Sequence, residues 1–201
     1  MKRRVEILSQ QRVFQQKPFA LEEAHLRYEQ YNGEMSREIV RLSLERGDSV
    51  AALVHDPLAD TVVFTEQFRY STLQHGDGWL LEAPAGMVKE HEKHDPTLTI
   101  RREIQEEIGY RVDSVRPINT FYLSPGGTSE RILLYYTSVT PQHRTSAGGG
   151  MVNEGEDIRV VVMPFAEAVA MMNRGEIIDA KTIIGLQWML LHPGELGTPR
   201  R

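Results

Sequence analysis

The middle of the chain contains one helix whose two ends are both marked in the sequence. Asp95 is a residue type favoured at the N-cap, and Pro96 suits the first helical position. Isoleucines then recur every fourth residue and form a narrow apolar stripe: Ile100, Ile104 and Ile108. Gly109 readily adopts the left-handed conformation that ends many helices. The sequence therefore predicts a helix over 96–108 with one face buried.

Segments with strand character lie on both sides of this helix and come at short spacing. They span 50–56, 61–70 and 79–86 before the helix and 117–124, 131–139 and 158–165 after it. Two further helices are predicted over 165–175 and 179–192. Several strands in succession between helices argue against a regular βαβ repeat. The order predicts an α+β protein, or a three-layer sandwich of helices around a sheet.

The first third of the chain gives weaker signals and has the character of a separate subdomain. Residues 5–15 carry a faint strand pattern, 19–30 fit helix or strand equally well, and 36–46 alternate imperfectly. These segments are too patterned for a linker. We therefore predict an N-terminal β-rich subdomain over 1–46, followed by the main domain over 47–201.

Composition and charge exclude several classes of function. The 201 residues carry a formal net charge of −5, whereas a protein that binds a nucleic-acid backbone needs a basic stripe. The sequence has no cysteines, so it has no disulfides, zinc–thiolate sites or thiol nucleophiles. Pro164 and Glu167 interrupt the most apolar stretch, and the N-terminus lacks the apolar run of a signal peptide. We expect a cytoplasmic protein that binds neither nucleic acid nor membrane.

Three carboxylates are concentrated on the predicted helix, at Glu103, Glu106 and Glu107. Residues three and four positions apart share a helical face, and like charges placed in this way destabilise an isolated helix by about 0.2–0.5 kcal/mol per pair. A sequence that keeps all three acids is expected to place a cation against them. Clustered oxygen ligands of this kind suit Mg²⁺ or Mn²⁺. A solvated acidic helix face is the alternative that these residues alone leave open.

The residues around the carboxylates resemble the Nudix box of the Nudix hydrolase family. That box has a Gly, five residues, a Glu, seven residues and then Arg-Glu-aliphatic-x-Glu-Glu-x-Gly-aliphatic. Gly86 and Glu92 match its first half, and the run from Arg102 to Gly109 matches its second half. Two departures are present, because nine residues separate Glu92 from Arg102 and Tyr110 replaces the final aliphatic residue. The longer spacer leaves the role of Glu92 open.

Further segments are similar to the branch of this family that comprises the ADP-ribose and nucleoside diphosphate sugar pyrophosphatases. They are EQFR at 66–69, LLEAPAG at 80–86, LSPGGTSER at 123–131, EDIRV at 156–160 and IIGLQWMLLH at 183–192. Two other runs look more like the GDP-mannose pyrophosphatases of the same branch, AGGG at 147–150 and DAKT at 179–182.

The resemblance implies a fold, an activity and an assembly. The fold is a Nudix α/β/α sandwich with a mixed sheet, preceded by an N-terminal antiparallel sheet that serves dimerisation, so a homodimer is expected. The activity is Mg²⁺-dependent hydrolysis of the pyrophosphate bond of a nucleoside diphosphate sugar. ADP-ribose, cleaved to AMP and ribose 5-phosphate, is the first candidate substrate, and GDP-mannose or another sugar nucleotide is the alternative.

The resemblance also assigns roles to residues of the box. Metal ligands are implied at three carboxylates and one backbone carbonyl: Glu103, Glu106, Glu107 and Ala85. The implied cofactor is Mg²⁺, with Mn²⁺ as the alternative. Arg102 is implied to position a carboxylate, because arginine makes two-pronged pairs with carboxylates. A purely structural ion pair with Glu106, four residues further on, is the alternative for Arg102.

The catalytic base is implied to lie outside the helix, in a loop between two late strands. Here the Gly-rich stretch 146–157 holds two acids, and the match favours Glu154 over Glu156 as the base. Solvated loop acids without a catalytic role are the alternative for both. The neighbouring glycines predict a mobile segment that closes over substrate.

Five residues are implied as substrate contacts, each with a plainer alternative: Arg41, Arg69, Gly127, Glu130 and Lys181. Arg69 ends an apolar strand, where it suits a phosphate contact or a surface ion pair. Gly127 and Glu130 belong to a run similar to the loop beside the terminal sugar, or to a tight turn. Lys181 matches a phosphate- or sugar-contacting lysine or a solvated helix start. Arg41 reaches the nucleotide of a partner subunit or is a solvated strand residue.

A non-catalytic sensor of nucleotide sugars is the competing class of function. Such a protein is built on the same domain and binds its ligand without turnover. It is expected to have lost part of the carboxylate set, whereas this chain keeps Glu103, Glu106 and Glu107 and a loop acid. The intact set favours an enzyme.

Overall fold

The computed structural model describes residues 3–197. Residues 1–2 of the predicted N-terminal subdomain and residues 198–201 of the predicted main domain lie outside the described part. The strands are β1 (Val5–Gln16), β2 (Phe19–Tyr28), β3 (Ile39–Glu45), β4 (Ser49–Asp56), β5 (Thr61–Phe68), β6 (Trp79–Glu82), β7 (Ala85–Met87), β8 (Arg116–Tyr122), β9 (Arg131–Ser138) and β10 (Arg159–Pro164). The helices are α1 (Pro96–Ile108), α2 (Phe165–Asn173) and α3 (Ala180–Leu191). Within residues 3–197, no helix is both long and apolar enough to cross a membrane. The chain divides into two compact units.

The first unit consists of the residues up to Asp48 together with Tyr122–Arg131. Its strands β1, β2 and β3 form an antiparallel sheet in that order, so the ambiguous segment 19–30 is a strand. The later segment of the unit meets the end of β3, where Leu44 N–H donates to the Gly127 carbonyl at 2.8 Å. The antiparallel N-terminal sheet is therefore confirmed, whereas its role in dimerisation stays a prediction.

The second unit combines Ser49–Phe121 with the residues from Ile132 onward and is built on a seven-stranded mixed sheet. Its main path runs β10-β5-β4-β9-β8, with β6 paired to β5 and β7 paired to β4. Strands β4 and β9 are parallel, whereas β4 is antiparallel to β5 and to β7. The predicted strand 79–86 is two strands, because Pro84 has no N–H for a ladder and its carbonyl accepts from Ala52 N–H at 3.0 Å.

Helices cover both faces of this sheet, and β4 supplies buried side chains to both. One side chain set, Val50, Ala52 and Val54, packs with the isoleucine stripe of α1. The other set, Ala51 and Leu53, packs with residues of α2 and α3. Complete burial of a valine or leucine side chain stabilises the fold by about 1.5–3 kcal/mol. The predicted α/β/α sandwich with a mixed sheet is confirmed, and burial on both faces explains the continuous apolar run of β4.

Helix α1 begins and ends as its sequence predicts. Asp95 Oδ1 accepts a hydrogen bond from Thr97 N–H at 3.1 Å, which caps the N-terminus of the helix. Gly109 has a φ of 79°, and its N–H donates to the Gln105 carbonyl at 3.2 Å. With both ends fixed, the inward position of Ile104 places the neighbouring carboxylates at the rim of the core.

Candidate active site

The carboxylates of α1 lie against the short strand β7. Glu107 Oε2 accepts a hydrogen bond from Ala85 N–H at 3.0 Å. At Gly86, a Cβ atom would overlap the carboxylate of Glu103, so a larger residue at this position would displace the side chain of Glu103. Glu106 is half-buried on the same helical face. The four predicted metal-ligating residues thus lie on α1 and on the strand packed against it, and their role as ligands stays a prediction.

Two of these carboxylates are buried with too little compensating charge. Glu103 is 9% exposed and Glu107 is 1% exposed. Burial, together with the charges of Glu106 and Glu156, raises the pKa of Glu103 to about 7 against the opposing effect of Arg102. Burial also raises the pKa of Glu107 to about 8, although the Ala85 N–H opposes the shift. A cation placed between these groups would relieve both penalties.

The donor set fits a hard divalent cation. Within residues 3–197, no group of three or more His, Cys, Asp or Glu side chains is arranged to hold an ion by itself. Mg²⁺ commonly uses only one or two protein carboxylates and completes its octahedron with water and substrate phosphate oxygens. Glu103, Glu107 and the carbonyl of Ala85 would supply such a partial set, with Glu106 at its edge.

Arg102 is surrounded by acids of the box. Its Nη1 donates to Glu106 Oε2 at 2.7 Å, and its Nη2 lies 2.9 Å from Glu103 Oε1 and 3.7 Å from Glu92 Oε2. The structural pair with Glu106 is therefore present, but the same guanidinium also borders Glu103. Within the described part of the chain, Nε and Nη2 are buried and have no hydrogen bond of good geometry. Arg102 is thus placed to orient two of the carboxylates.

Glu92 reaches the helix in spite of the longer spacer. Its Oε2 accepts a hydrogen bond from Thr99 Oγ1 at 2.7 Å, which holds the pKa of Glu92 below its usual value. Two residues, Lys93 and His94, separate the turn Glu90–Glu92 from the N-cap Asp95. That the longer spacer leaves the helical face undisturbed stays a prediction.

The glycine run after residue 146 is fixed to the end of α1. Gly149 N–H donates to the Glu107 carbonyl at 2.9 Å, and Gly150 N–H donates to the Glu106 carbonyl at 3.1 Å. These bonds satisfy carbonyls that a helix C-terminus leaves without intrahelical partners. This part of the stretch is hydrogen-bonded to the end of α1, and the mobility predicted for residues 146–157 stays a prediction.

The two acids of the following loop differ in their surroundings. The charge of Glu156 is among the causes that raise the pKa values of both Glu103 and Glu107, which places it near them. Its Oε2 also accepts from Met151 N–H at 2.7 Å. Glu154 is exposed on the turn Val152–Glu154. The preference for Glu154 as base stays a prediction, and Glu156 is the acid that borders the helix carboxylates.

Arg69 and Lys181 meet at one acid, Glu82, which the sequence reading missed. Arg69 Nε donates to Glu82 Oε2 at 2.8 Å, and Lys181 Nζ donates to Glu82 Oε1 at 2.8 Å. Lys181 is buried, so the alternative of a solvated helix start is wrong. The LLEAPAG run, which contains Glu82, could have drawn attention to this residue. No local sequence pattern predicts that Arg69 and Lys181 pair with it.

The remaining predicted contacts belong to the first unit. Arg41 is exposed on β3, and its Nη1 donates to the Val40 carbonyl at 2.9 Å. Gly127 N–H donates to the Ser124 carbonyl at 3.0 Å, as a tight turn requires. Glu130 is buried, and its Oε2 lies 3.6 Å from Arg46. Their roles as substrate contacts stay predictions.

Comparisons with known proteins identify the family of this chain. The model of the NUDIX domain matches residues 45–184. ADP-ribose pyrophosphatase of Escherichia coli (strain K12) is 39% identical over 177 residues, which cover 87% of this chain and 82% of the relative. GDP-mannose pyrophosphatase of Pectobacterium atrosepticum is 41% identical over 162 residues, which cover 80% of this chain and 81% of the relative.

A solved structure described as an ADP compounds hydrolase shares the fold. It aligns with a TM-score of 0.73 at 17% identity, over 96% of each chain. At that identity the likeness concerns the fold alone. The domain match and the two sequence relatives carry the assignment: the chain belongs to the Nudix family and is a Nudix hydrolase.

Proposed function

We propose that this protein hydrolyses the pyrophosphate bond of nucleoside diphosphate sugars with the help of Mg²⁺, and that ADP-ribose is its main substrate. The observation that carries the proposal is the pair of buried carboxylates, Glu103 and Glu107, against strand β7 at Ala85 and Gly86. The names of the two sequence relatives supply the substrate class.

The reaction needs a water molecule, a base and a stabilised leaving group. A bound divalent ion would neutralise the phosphates and lower the pKa of the attacking water. Glu103, Glu106, Glu107 and the Ala85 carbonyl would hold that ion. Glu154 accepts the proton as water attacks phosphorus, the bridging P–O bond breaks, and AMP and ribose 5-phosphate leave. Mn²⁺ has similar preferences for oxygen ligands and is the alternative ion.

Positive side chains complete the proposed site. Arg69 binds a phosphate oxygen, because its guanidinium is directed by Glu82 and lies close enough to lower the pKa of Glu107 against the dominant effect of burial. Arg102 orients the box carboxylates, and Glu156 borders them as a further oxygen ligand or orienting group. Arg41, Gly127 and Glu130 of the first unit are the proposed contacts to the nucleotide and terminal sugar.

GDP-mannose is the second candidate substrate. The relative with 41% identity carries that substrate in its name, and the AGGG and DAKT runs resemble the same subgroup. Both substrates present a pyrophosphate to the same carboxylates, so the chemistry would not change. The difference would lie in the contacts to the base and sugar.

The first unit is proposed to join a second copy of the chain. Val40, Leu42 and Leu44 alternate along β3 and are exposed on one face of its sheet. The register carries this face from Leu44 through Leu21 to Phe14 on β1, which is also exposed, whereas Leu42 and Val40 lie opposite Glu23 and His25. Several large apolar side chains exposed on one face of a sheet support a protein interface. A homodimer that buries the face is the proposed assembly.

A panel of sugar nucleotides tests the proposed function. The protein is incubated with ADP-ribose, GDP-mannose, UDP-glucose and ADP-glucose at equal concentration, with Mg²⁺ or with EDTA, and products are separated by ion-exchange chromatography. We expect the highest kcat/KM for ADP-ribose and no products in EDTA. Binding without turnover of every compound would support the sensor, and a preference for GDP-mannose would select the second substrate.

A further inference from the structure

Lys181 is a buried cation at the start of α3, with two carboxylates of the same chain on its ammonium group. It is 8% exposed, and its Nζ donates to Glu82 Oε1 at 2.8 Å and to Asp179 Oδ1 at 2.9 Å. A lysine ammonium has three N–H donors, so the protein itself engages two of them. Burial lowers the pKa of Lys181, but the charges of Asp179 and Glu82 outweigh this effect and leave that pKa raised.

Glu82 is the carboxylate that two cations share. It is 4% exposed at the end of β6, and its Oε2 accepts from Arg69 Nε at 2.8 Å while its Oε1 accepts from Lys181. Charge-assisted hydrogen bonds of this kind are short and directional, so they orient the guanidinium of Arg69. The side chain of Arg69 is 39% exposed and is therefore the member of the group that a substrate can reach.

The buried side of the group is tied to the backbone beside the catalytic helix. Asp179 Oδ2 accepts from Thr182 N–H at 3.0 Å and from Thr182 Oγ1 at 2.6 Å. The same hydroxyl oxygen accepts from Ala83 N–H at 2.7 Å. Ala83 lies two residues before Ala85, whose N–H donates to Glu107 at 3.0 Å. The start of α3 is therefore joined to the segment that leads into β7, whose Ala85 contacts Glu107.

The charges of the group balance. Arg69 and Lys181 are positive and Glu82 and Asp179 are negative, so the four are neutral together. Removal of one partner from a buried ion pair leaves the other charge uncompensated, and the remaining side chains rearrange or take up water. Loss of the Lys181 ammonium would release one oxygen of Glu82, and Glu82 could then turn away from Arg69.

We infer that Lys181 and Glu82 are positioning residues that fix Arg69 beside the helix carboxylates, and that Lys181 acts through Glu82 and Arg69 without touching substrate. The inference rests on the proposed function, in which Arg69 binds a substrate phosphate. It gives Lys181 a different role from the direct substrate contact that the family resemblance implies.

A double-mutant cycle between Lys181 and Arg69 tests this assignment. The values of kcat and KM for ADP-ribose with Mg²⁺ are measured for Lys181→Met, for Arg69→Ala and for the double variant. Lys181→Met is expected to lower kcat/KM about tenfold alone but less than about twofold in the Arg69→Ala background, because nothing is left to position. Lys93→Met, which removes an exposed lysine paired with Glu90, is the matched control and should behave as wild type.

Equal losses in the two backgrounds would overturn the inference and support direct contact of Lys181 with substrate. Far-UV circular dichroism and thermal melting show whether each variant folds. If Lys181→Met does not fold, Glu82→Gln, which keeps size and shape, replaces it in the same cycle with the same expectation. A wild-type protein that neither binds nor hydrolyses any sugar nucleotide would overturn the proposed function and this inference with it, a result distinct from additive losses in an active enzyme.

Discussion

Among single residues, Glu107 is the side chain at which burial and charge conflict most strongly. It is 1% exposed, burial raises its pKa to about 8, and the main contact that favours its charged form is one backbone N–H. A bound divalent cation reverses the local balance, because it stabilises the deprotonated form of a ligand. The charged form of this carboxylate would therefore destabilise the metal-free fold and would be stabilised by the proposed ion.

The metal-free protein is expected to lose stability as pH rises from about 5 to about 8. The ordinary pKa of a glutamate is 4.5, whereas Glu107 in the folded protein has a pKa of about 8. Between these values the folded state binds more protons than the unfolded state, so the free energy of unfolding falls with rising pH. Thermal melts in EDTA across this range measure the effect.

Glu107→Gln is the control for that experiment, because glutamine has the same shape and no charge. The variant should show a flatter dependence of Tm on pH in EDTA. Mg²⁺ or Mn²⁺ should raise the Tm of the wild type more at about pH 8 than at about pH 5, since the ion removes the penalty of the charged form. An identical pH dependence in both proteins would contradict the account of Glu107.

At the scale of elements, the glycine run 148–150 packs against the C-terminal end of α1. Gly148 has a φ of 74°, and a Cβ there would overlap the carbonyl of Glu107. The next two glycines donate their N–H groups to the carbonyls of Glu106 and Glu107. The helix that carries the proposed metal ligands and the loop that carries the proposed base are thus joined through backbone hydrogen bonds.

Gly148→Ala is expected to destabilise the protein by about 1–3 kcal/mol, because an alanine at positive φ is strained and its methyl group displaces the loop from the helix. The displaced loop should also lower kcat, since it carries Glu154 and Glu156. Gly76→Ala is the matched control, because a Cβ at Gly76 meets nothing and its φ is not in the left-handed range. Urea denaturation and steady-state kinetics measure both effects, and equal behaviour of the two variants would contradict the proposed attachment.

The elements that sequence could predict are those whose signals are local. Helix α1 carries its own cap at Asp95, its own stripe and its own stop at Gly109, so its ends were predictable. The pairing of Glu82 with Lys181 joins residues 99 positions apart and leaves no periodic trace. The hydrogen bond from Gly149 to α1 was equally unpredictable. A run of glycines in a loop predicts a flexible backbone, and the sequence does not show which carbonyls its N–H groups will meet.

The candidate site shows the same division. The box gave Glu103, Glu106 and Glu107 as one group because a single helix turn places them together. The distance of Glu92 from these three carboxylates could not be predicted, because the spacer has an unusual length and the path of the loop determines the distance. In the folded protein, Glu92 Oε2 lies 2.7 Å from Thr99 Oγ1 on α1.

At the scale of the whole molecule, the two units have different surfaces and different proposed tasks. The second unit contains the buried carboxylates and the arginine and lysine side chains that pair with acids near them. The first unit presents the exposed apolar face that includes Leu42, which is 52% exposed, and Phe14. Arg41, beside Leu42 on β3, is a proposed contact to the nucleotide of a partner subunit. Assembly and activity are therefore expected to depend on the same sheet.

Leu42→Glu is expected to shift the protein from dimer to monomer, because it places a charge in the proposed apolar interface. Activity should fall with assembly if the partner subunit contributes Arg41. Leu58→Glu makes the same change at an exposed leucine in the turn between β4 and β5, and it should leave assembly intact. Analytical ultracentrifugation measures both. A wild-type monomer, or an unaltered dimer in Leu42→Glu, would contradict the proposed interface.

The central claim is that the buried carboxylates of α1 hold the ion that promotes pyrophosphate hydrolysis. The most direct measurement is the rate of AMP formation from ADP-ribose across a range of Mg²⁺ concentrations, for the wild type and for folded Glu107→Gln. We predict a rate that rises with Mg²⁺ in the wild type and is lower by about a hundredfold or more in the variant. Turnover in Glu107→Gln equal to that of the wild type, with the same dependence on Mg²⁺, would contradict the claim.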